Sequence, residues 1–280
     1  DDYLYDLAIL INPDEKEPPS NEKAIQKFIS AAEETGFRVE LITQKDYHRV
    51  GEFDALFIRE TTNVNHATYS FARRAQSEGI AVIDDPDSIL RCSNKVYLQE
   101  LMNVGHIPAP KTIITHSENR NVLAKELGFP LILKSPDSSF SQGVIKVKNK
   151  EELELELDRM FTKSDLLIAQ EFTPTDFDWR IGVLDGKPLY ACKYYMAKDH
   201  WQIYNWKSED KNEICGNFDC LPIESVPHGI VKAALRVAAM IGNGLYGVDL
   251  KEVDGNPVVI EVNDNPNIDA GIEDQVAKKK

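Results

Sequence analysis

Asp249 and Glu261 are carboxylates set among apolar residues, in LYGVDLKEV (245–253) and PVVIEVN (257–263), two segments joined by Asp254-Gly255-Asn256. Strand side chains alternate faces, so Val259, Glu261 and Asn263 share one face of the second segment. A three-residue loop pairs Val253 with Pro257, and counting back sets Asp249 opposite Glu261. Opposed side chains lie roughly 4.5–5.5 Å apart at Cβ, where like charges repel. A hard divalent cation removes that repulsion. Two carboxylates and an amide suit Mg2+, with phosphates and waters completing its shell. The alternative is a solvated hairpin face whose carboxylates never meet.

Further polar groups recur upstream. Lys134 closes the apolar run LILK (131–134), ahead of PDSSFSQG (136–143). Such a loop can lay backbone N–H groups and hydroxyls against phosphates, with Lys134 as a point charge. With one glycine it also reads as a plain surface loop. Lys95, on a helical segment, is a second cation or merely a solvated one. Gln170-Glu171-Phe172 ends another apolar run. Asp178 and Arg180 follow at i and i+2, on one strand face. The carboxylate can accept from ribose hydroxyls, and the guanidinium can grip a phosphate or acyl phosphate through two donors. An exposed Asp–Arg pair of little energetic worth is the plainer alternative.

These groups need a scaffold. DLAILIN (6–12), RVELIT (38–43), FDALFI (53–58) and IAVID (80–84) read as strands of a small βαβ sheet. Ser20 is placed as the N-cap of a helix carrying Ala24, Phe28, Ile29 and Ala32 and ended by Gly36; a second helix covers Tyr69–Ser77. Ligands bind such sheets at the carboxyl ends of strands, where Arg59-Glu60-Thr61-Thr62 follows FDALFI. DDPDSILRCSN (84–94) reads as a linker, followed by a helix over about Lys95–Asn103. Strands at 112–114, 131–134, 144–148 and 166–172, with helices at 118–127 and 151–161, form a middle unit. The last unit is mostly antiparallel, with an Asp185-Gly186 hairpin turn. Its helix, His228 to about Ile241, buries Val231, Leu235, Ala238 and Ile241.

With 280 residues, 42% hydrophobic and 28% charged, the chain fits two or three compact units. A net charge of -14 argues against non-specific nucleic-acid binding. No apolar run is long enough for a membrane helix, and no secretory leader opens the chain. It begins Asp1-Asp2 without an initiator Met, as a segment of a longer protein would. Cys92, Cys192, Cys215 and Cys220 are expected as reduced thiols in a cytoplasmic protein. Cys215, Cys220, His200 and His228 lack a usual zinc-ligand spacing.

The order of these features resembles the ATP-grasp superfamily of carboxylate–amine ligases. It is closest to the RimK-like ligases, relatives of glutathione synthetase and of the enzyme that adds glutamates to a ribosomal protein. The likeness runs over nearly the whole chain; NKVYLQELMNVGHIPAPKT, FDALFIRE, GVDL and IEVNDNP carry it. It implies an α/β ATP-grasp fold: an amino-terminal βαβ domain at 1–90, then two α+β subdomains, 91–167 and 168–280, gripping ATP between them. Lys95 and Lys134 would contact phosphates, under a loop containing Ser139, Ser141 and Gly143. Gln170, Glu171 and Phe172 would surround adenine, and Asp178 the ribose. Asp249, Glu261 and Asn263 would ligate Mg2+, commonly two ions, with Mn2+ an alternative. Arg180 and Arg59 would address the acyl group and substrate. Arginines usual after the hairpin are missing, which leaves Lys193 or Lys198, beside Asn205, to supply positive charge. The implied partners are a small carboxylate and an amine, an amino acid or peptide, with glutamate the family's suggestion. An extra upstream domain and self-association stay open. A nucleotide-binding module without ligase activity is the competing reading.

Overall fold

The apolar runs of the first 83 residues lie side by side as parallel strands: β1 (Tyr5–Leu10), β2 (Phe37–Ile42), β3 (Ala55–Ile58) and β4 (Ala81–Ile83), in the order β2-β1-β3-β4. The computed structural model describes residues 3–136, 143–205 and 215–276. Helices α1 (Glu22–Glu34) and α2 (Ala67–Ser77) cross between strands. Asn21, not Ser20, caps α1, its side chain accepting from Ala24 N at 2.9 Å. Ser20 is instead buried and donates to Ile268 O at 2.7 Å. The chain can leave a serine off a cap when a neighbouring Asx does the same work and a distant partner takes the hydroxyl.

The expected linker at 84–94 is largely helix α3 (Pro86–Ser93). Asp85 caps it by accepting from Ser88 N at 3.0 Å, and Pro86 takes the first helical position, where no N–H is needed. Helix α4 (Lys95–Val104) follows directly. Cys92, Leu98 and Met102 from this pair pack with Trp179, Ile181 and Val237, in the core of the carboxyl-terminal sheet.

The middle sheet is antiparallel, β5 (Thr112–Thr115), β6 (Leu131–Lys134), β7 (Val144–Val147) and β8 (Leu167–Glu171), ordered β5-β8-β6-β7. Leu131, Leu133 and Val147 bury against Leu153 and Leu157 of α6 (Lys150–Phe161). The helix expected at 118–127 is shorter: a 3-10 turn, Arg120–Val122, leads into α5 (Leu123–Leu127).

The third sheet has the order β11-β10-β9-β12-β13: β9 (Phe177–Leu184), β10 (Lys187–Tyr195), β11 (Phe218–Leu221), β12 (Leu245–Val253) and β13 (Asn256–Asn263). Helix α7 (His228–Ile241) packs beneath it through Ile230, Ala233, Ala234 and Val237, while Val231 and Leu235 are only partly buried. Strand β11 is a four-residue segment with an Asp inside it, too short to show alternation. Its pairing corrects the cysteine expectation. Cys220 lies directly opposite Cys192, Cα to Cα 4.1 Å, and the two form a disulfide; Cys92 and Cys215 are free. Among the described residues, no helix is long and apolar enough to cross a membrane.

Candidate active site

A cavity of about 290 Å³ opens between the three sheets. Lys134 of β6, Gln170 and Glu171 of β8, Asp178 and Arg180 of β9, Asp249 and Lys251 of β12, and Glu261 and Asn263 of β13 line it. The loop after β3 contributes Thr61–Asn63, and the segment after β13 contributes Asp264–Asn267.

Asp249 does face Glu261, by a different route from simple counting. The turn has two residues: Asp254 and Gly255 have φ of 50° and 76°, and Val253 pairs with Asn256. Left-handed conformations at both positions suit a tight hairpin turn. This register alone would send Glu261 to the wrong face. A bulge between the Leu250–Val259 and Asp249–Glu261 pairs restores it, with Ile260 the extra residue. The bulge also breaks the expected alternation. Val259 is fully buried in the core, while Ile260, Glu261 and Asn263 all line the cavity. Gly247, opposite Asn263, leaves room for the chain to double back: a Cβ there would lie 2.7 Å from Pro266 Cβ.

The carboxylates are matched by side-chain cations. Arg180 donates to both oxygens of Asp249, at 2.7 and 2.8 Å. Lys95 ion-pairs with Glu261, and Lys251 with Asp178, at 2.6 Å in the second pair. Lys251 also donates to Thr175 Oγ1 at 2.7 Å. Asn263 Nδ2 donates to Asp249 Oδ2 at 3.2 Å and to Gly247 O at 3.3 Å. Burial opposes ionisation of Glu261, but Lys95 and Lys134 outweigh it and hold the carboxyl below its ordinary range. Burial pushes Lys134 down to about 8 against the pull of Glu261. Burial raises Asp178, with Lys251 opposing. Lys251 joins the site without being expected there; it stands two residues after Asp249 on the same strand face, and that spacing is its local signal.

At one end of the cavity, Gln170 Nε2 donates to Thr112 Oγ1 at 2.9 Å, and Glu171 accepts from Lys111 N at 2.8 Å. The Phe172 ring stands edge to face with Trp201, centroids 6.0 Å apart, and Lys146 Nζ lies 3.6 Å from the Phe172 centroid. No local pattern marks Trp201 or Lys146, because only the approach of the middle sheet brings them together.

Four expected site residues, Arg59, Lys193, Asn205 and Gly143, are not among those lining the cavity. Arg59 is 1% exposed and does not line the cavity. It donates to Ser20 Oγ, Pro19 O, Asn265 Oδ1 and Pro266 O, tying the first sheet to the segment after β13. Burial pushes its guanidinium down to about 10. Lys193 pairs in register with Trp179, so alternation turns it to the face away from Arg180. Its Nζ lies 4.3 and 4.8 Å from the Phe177 and Trp179 centroids. Asn205 is not among the lining residues; Trp201 to Tyr204, just before it, are. Ser139 and Ser141 lie outside the described residues, and Gly143 closes their loop by accepting from Ser135 N at 3.1 Å.

At the opposite end, Thr62 Oγ1 donates to Asp264 Oδ2 at 2.6 Å. Burial pushes Asp264 up to about 7 and Asp84, near it, well above the carboxylate range. Neither forms an ion pair among the described residues.

Comparison with known proteins adds the relationship. Residues 107–270 match the family described as D-ala D-ala ligase C-terminus. The alpha-aminoadipate–LysW ligase LysX of Sulfolobus acidocaldarius is 28% identical over 254 residues, 85% of this chain and 87% of that protein. The D-alanine–D-alanine ligase of Bacillus anthracis complexed with ATP superposes with a TM-score of 0.72 at 21% identity, over 94% of this chain and 86% of that one. The RimK domain ATP-grasp protein of Sphaerobacter thermophilus gives 0.69 at 18% identity, over 94% and 92%.

Proposed function

The chain belongs to the D-ala D-ala ligase C-terminus family and is an ATP-dependent carboxylate–amine ligase of the ATP-grasp fold, and on that premise we propose that it is RimK-like and joins an amino acid such as glutamate to the carboxylate of an amino acid or peptide. The reaction runs in two steps. A substrate carboxylate attacks the γ-phosphorus of ATP, giving an acyl phosphate and ADP. The amine then attacks the acyl carbon, and phosphate leaves with the C–O electron pair.

One observation carries the assignment of roles: Asp249, Glu261 and Asn263 converge on one cavity wall together with Lys95, Lys134 and Arg180. Lys95 and Lys134 hold the phosphates. Gln170, Glu171 and Phe172, with Trp201, enclose adenine, and Asp178 takes the ribose. Arg180 steadies the acyl phosphate. The oxygen-donor set of Asp249, Glu261 and Asn263 fits Mg2+, one ion or two, and Mn2+ equally. Among the described residues no group of three His, Cys, Asp or Glu side chains converges, so the amide and the phosphates must complete that set. A Mg2+ ion held by Asp249, Glu261 and Asn263 would offset the negative charge that develops on the transferring phosphoryl group. Lys95 and Arg180, which pair with Glu261 and Asp249 in the ligand-free chain, would then be available to the phosphates. With Lys193 turned away, Arg180 and Lys251 are the cations on hand for the acid substrate. A cytoplasmic setting, where ATP is plentiful, agrees with this chemistry.

The test is ADP release with Mg·ATP, a panel of L-amino acids as amines, and L-amino acids and glutamyl dipeptides as acids. Amine-dependent turnover in the wild type and its loss in Glu261→Ala are expected. Turnover that survives Glu261→Ala would remove the metal-site assignment.

A further inference from the structure

The charges of the cavity are divided unevenly. Lys95, Lys134, Arg180 and Lys251 gather around the β9–β12–β13 wall, where they meet Glu261, Asp249 and Asp178. At the other end, between Thr61–Asn63 and Asp264–Asn267, no lysine or arginine among the described residues lines the cavity. Asp264, 7% exposed, is the acid there, and among the described residues its carboxylate is met by the Thr62 hydroxyl and its own backbone N–H, with no cation paired to it. Behind it Asp84 is 1% exposed, and among the described residues its side-chain oxygens have no side-chain hydrogen-bond partner, the Leu245 backbone being the donor nearest to them. Ser93 lines the cavity next to Cys92, whose thiol feels the charges of Asp264 and Asp84, and among the described residues its Oγ, shielded from solvent, has no hydrogen-bond partner. Arg59 is near enough for its charge to offset part of that of Asp84, but its hydrogen bonds go to Ser20, Pro19, Asn265 and Pro266.

Buried acceptors without donors are costly, and a buried carboxylate without a cation more so. An arrangement of this kind, opening into a reaction cavity, fits a ligand that supplies both positive charge and several N–H donors. We propose that this end receives the amine substrate as a primary ammonium ion, with Asp264 as its counter-ion, Thr62 and Ser93 as further acceptors, and Asp84 adding negative potential from behind.

The assignment deepens the ligase reading and rests on it. A primary ammonium carries three N–H donors, matching Asp264, Thr62 Oγ1 and Ser93 Oγ. The two ends then sort the substrates by charge: phosphates to the cationic wall, the amine to the acidic end. The acyl phosphate forms between them, and the ammonium passes one proton to the Asp264 carboxylate to become the free amine that attacks the acyl carbon. Like-charge contact at either end disfavours the reverse placement.

Hydroxylamine separates the two readings, because it traps acyl phosphates and is uncharged at pH 8. Rates of ADP release are compared at pH 8 for hydroxylamine and for each L-amino acid of the panel that supports turnover. Asp264→Asn is expected to lower kcat/KM for the amino acid at least tenfold more than for hydroxylamine. Thr62→Val and Ser93→Ala are expected to move the same ratio in the same direction, two- to fivefold, and they serve if Asp264→Asn does not fold. An equal fall for both nucleophiles, or none, in the folded variants overturns the inference while leaving the ligase reading intact. A wild-type chain that releases no ADP with any acid and either nucleophile overturns the ligase reading first, and this inference with it.

Discussion

Asp249 and Glu261 face each other across β12 and β13 only because one extra residue, Ile260, bulges out of the ladder just before them. Were the ladder to continue without that bulge, the two-residue turn would place Asp249 opposite Ile260 and turn Glu261 to the core side. In this structure neither acid meets the other as an unshielded charge. Arg180 holds Asp249, and Lys95 holds Glu261.

The first prediction concerns that matching. Asp249→Ala leaves the Arg180 charge in a site where its side chain is only 18% exposed. Removing one partner of such a pair costs about 3–5 kcal/mol. Urea unfolding is expected to show a loss of that size. Adding Arg180→Leu should recover most of it, with ADP release still absent. A double variant no more stable than Asp249→Ala would show that the loss lies elsewhere.

The second concerns metal removal. Lysines and an arginine neutralise the candidate metal ligands in the ligand-free chain, so a chelator should leave its Tm within about 1 °C. Mg·ADP should raise Tm, and EDTA should abolish that rise. A fall of several degrees on adding EDTA to the ligand-free protein would mean that a resident metal supports the fold.

The third follows from Asp264. Its carboxyl stands at about 7 in the folded chain, raised by burial from an ordinary 3.8. The folded state therefore binds its proton more tightly than the unfolded chain does. The associated stability is fully present below about pH 3.8 and is lost as pH rises through about 7. The shift corresponds to a few kcal/mol, on the order of 1.4 per pH unit, shared with Asp84. Asp264→Asn should raise Tm more at pH 8 than at pH 5. Equal shifts at both pH values would contradict the buried-carboxyl account.

The fourth concerns Arg59. Arg59→Met strips donors from four acceptors at the junction of β3 and the segment after β13. A loss of about 3 kcal/mol or more is expected in unfolding experiments. Arg59→Lys should rescue little, since an ammonium cannot span the same acceptors. KM for ATP should change less than threefold in either variant; a tenfold rise would return Arg59 to the nucleotide site.

Much of the site was legible in the residues. Lys134 closing an apolar strand, Asp178 and Arg180 at i and i+2, and Asp249 with Glu261 inside apolar runs are local patterns, and each of these side chains lines the cavity. Most strands and helices followed from periodicity in the same way. The exceptions also have local causes. The linker expected at 84–94 holds an Asp-Pro step that caps and begins α3, and the four-residue β11 is too short to alternate.

What the sequence alone determined is therefore the chemistry available on each strand face, because alternation and capping depend on near neighbours. The tertiary structure decided which groups meet. Lys95 reaches Glu261 across 166 positions, and Arg59 reaches Pro266 across 207. Lys193 turns to the far face, Cys192 finds Cys220, and Asp264 is left without a cation. Such partnerships depend on how three sheets pack and where one strand bulges, and no window of neighbouring residues carries that information.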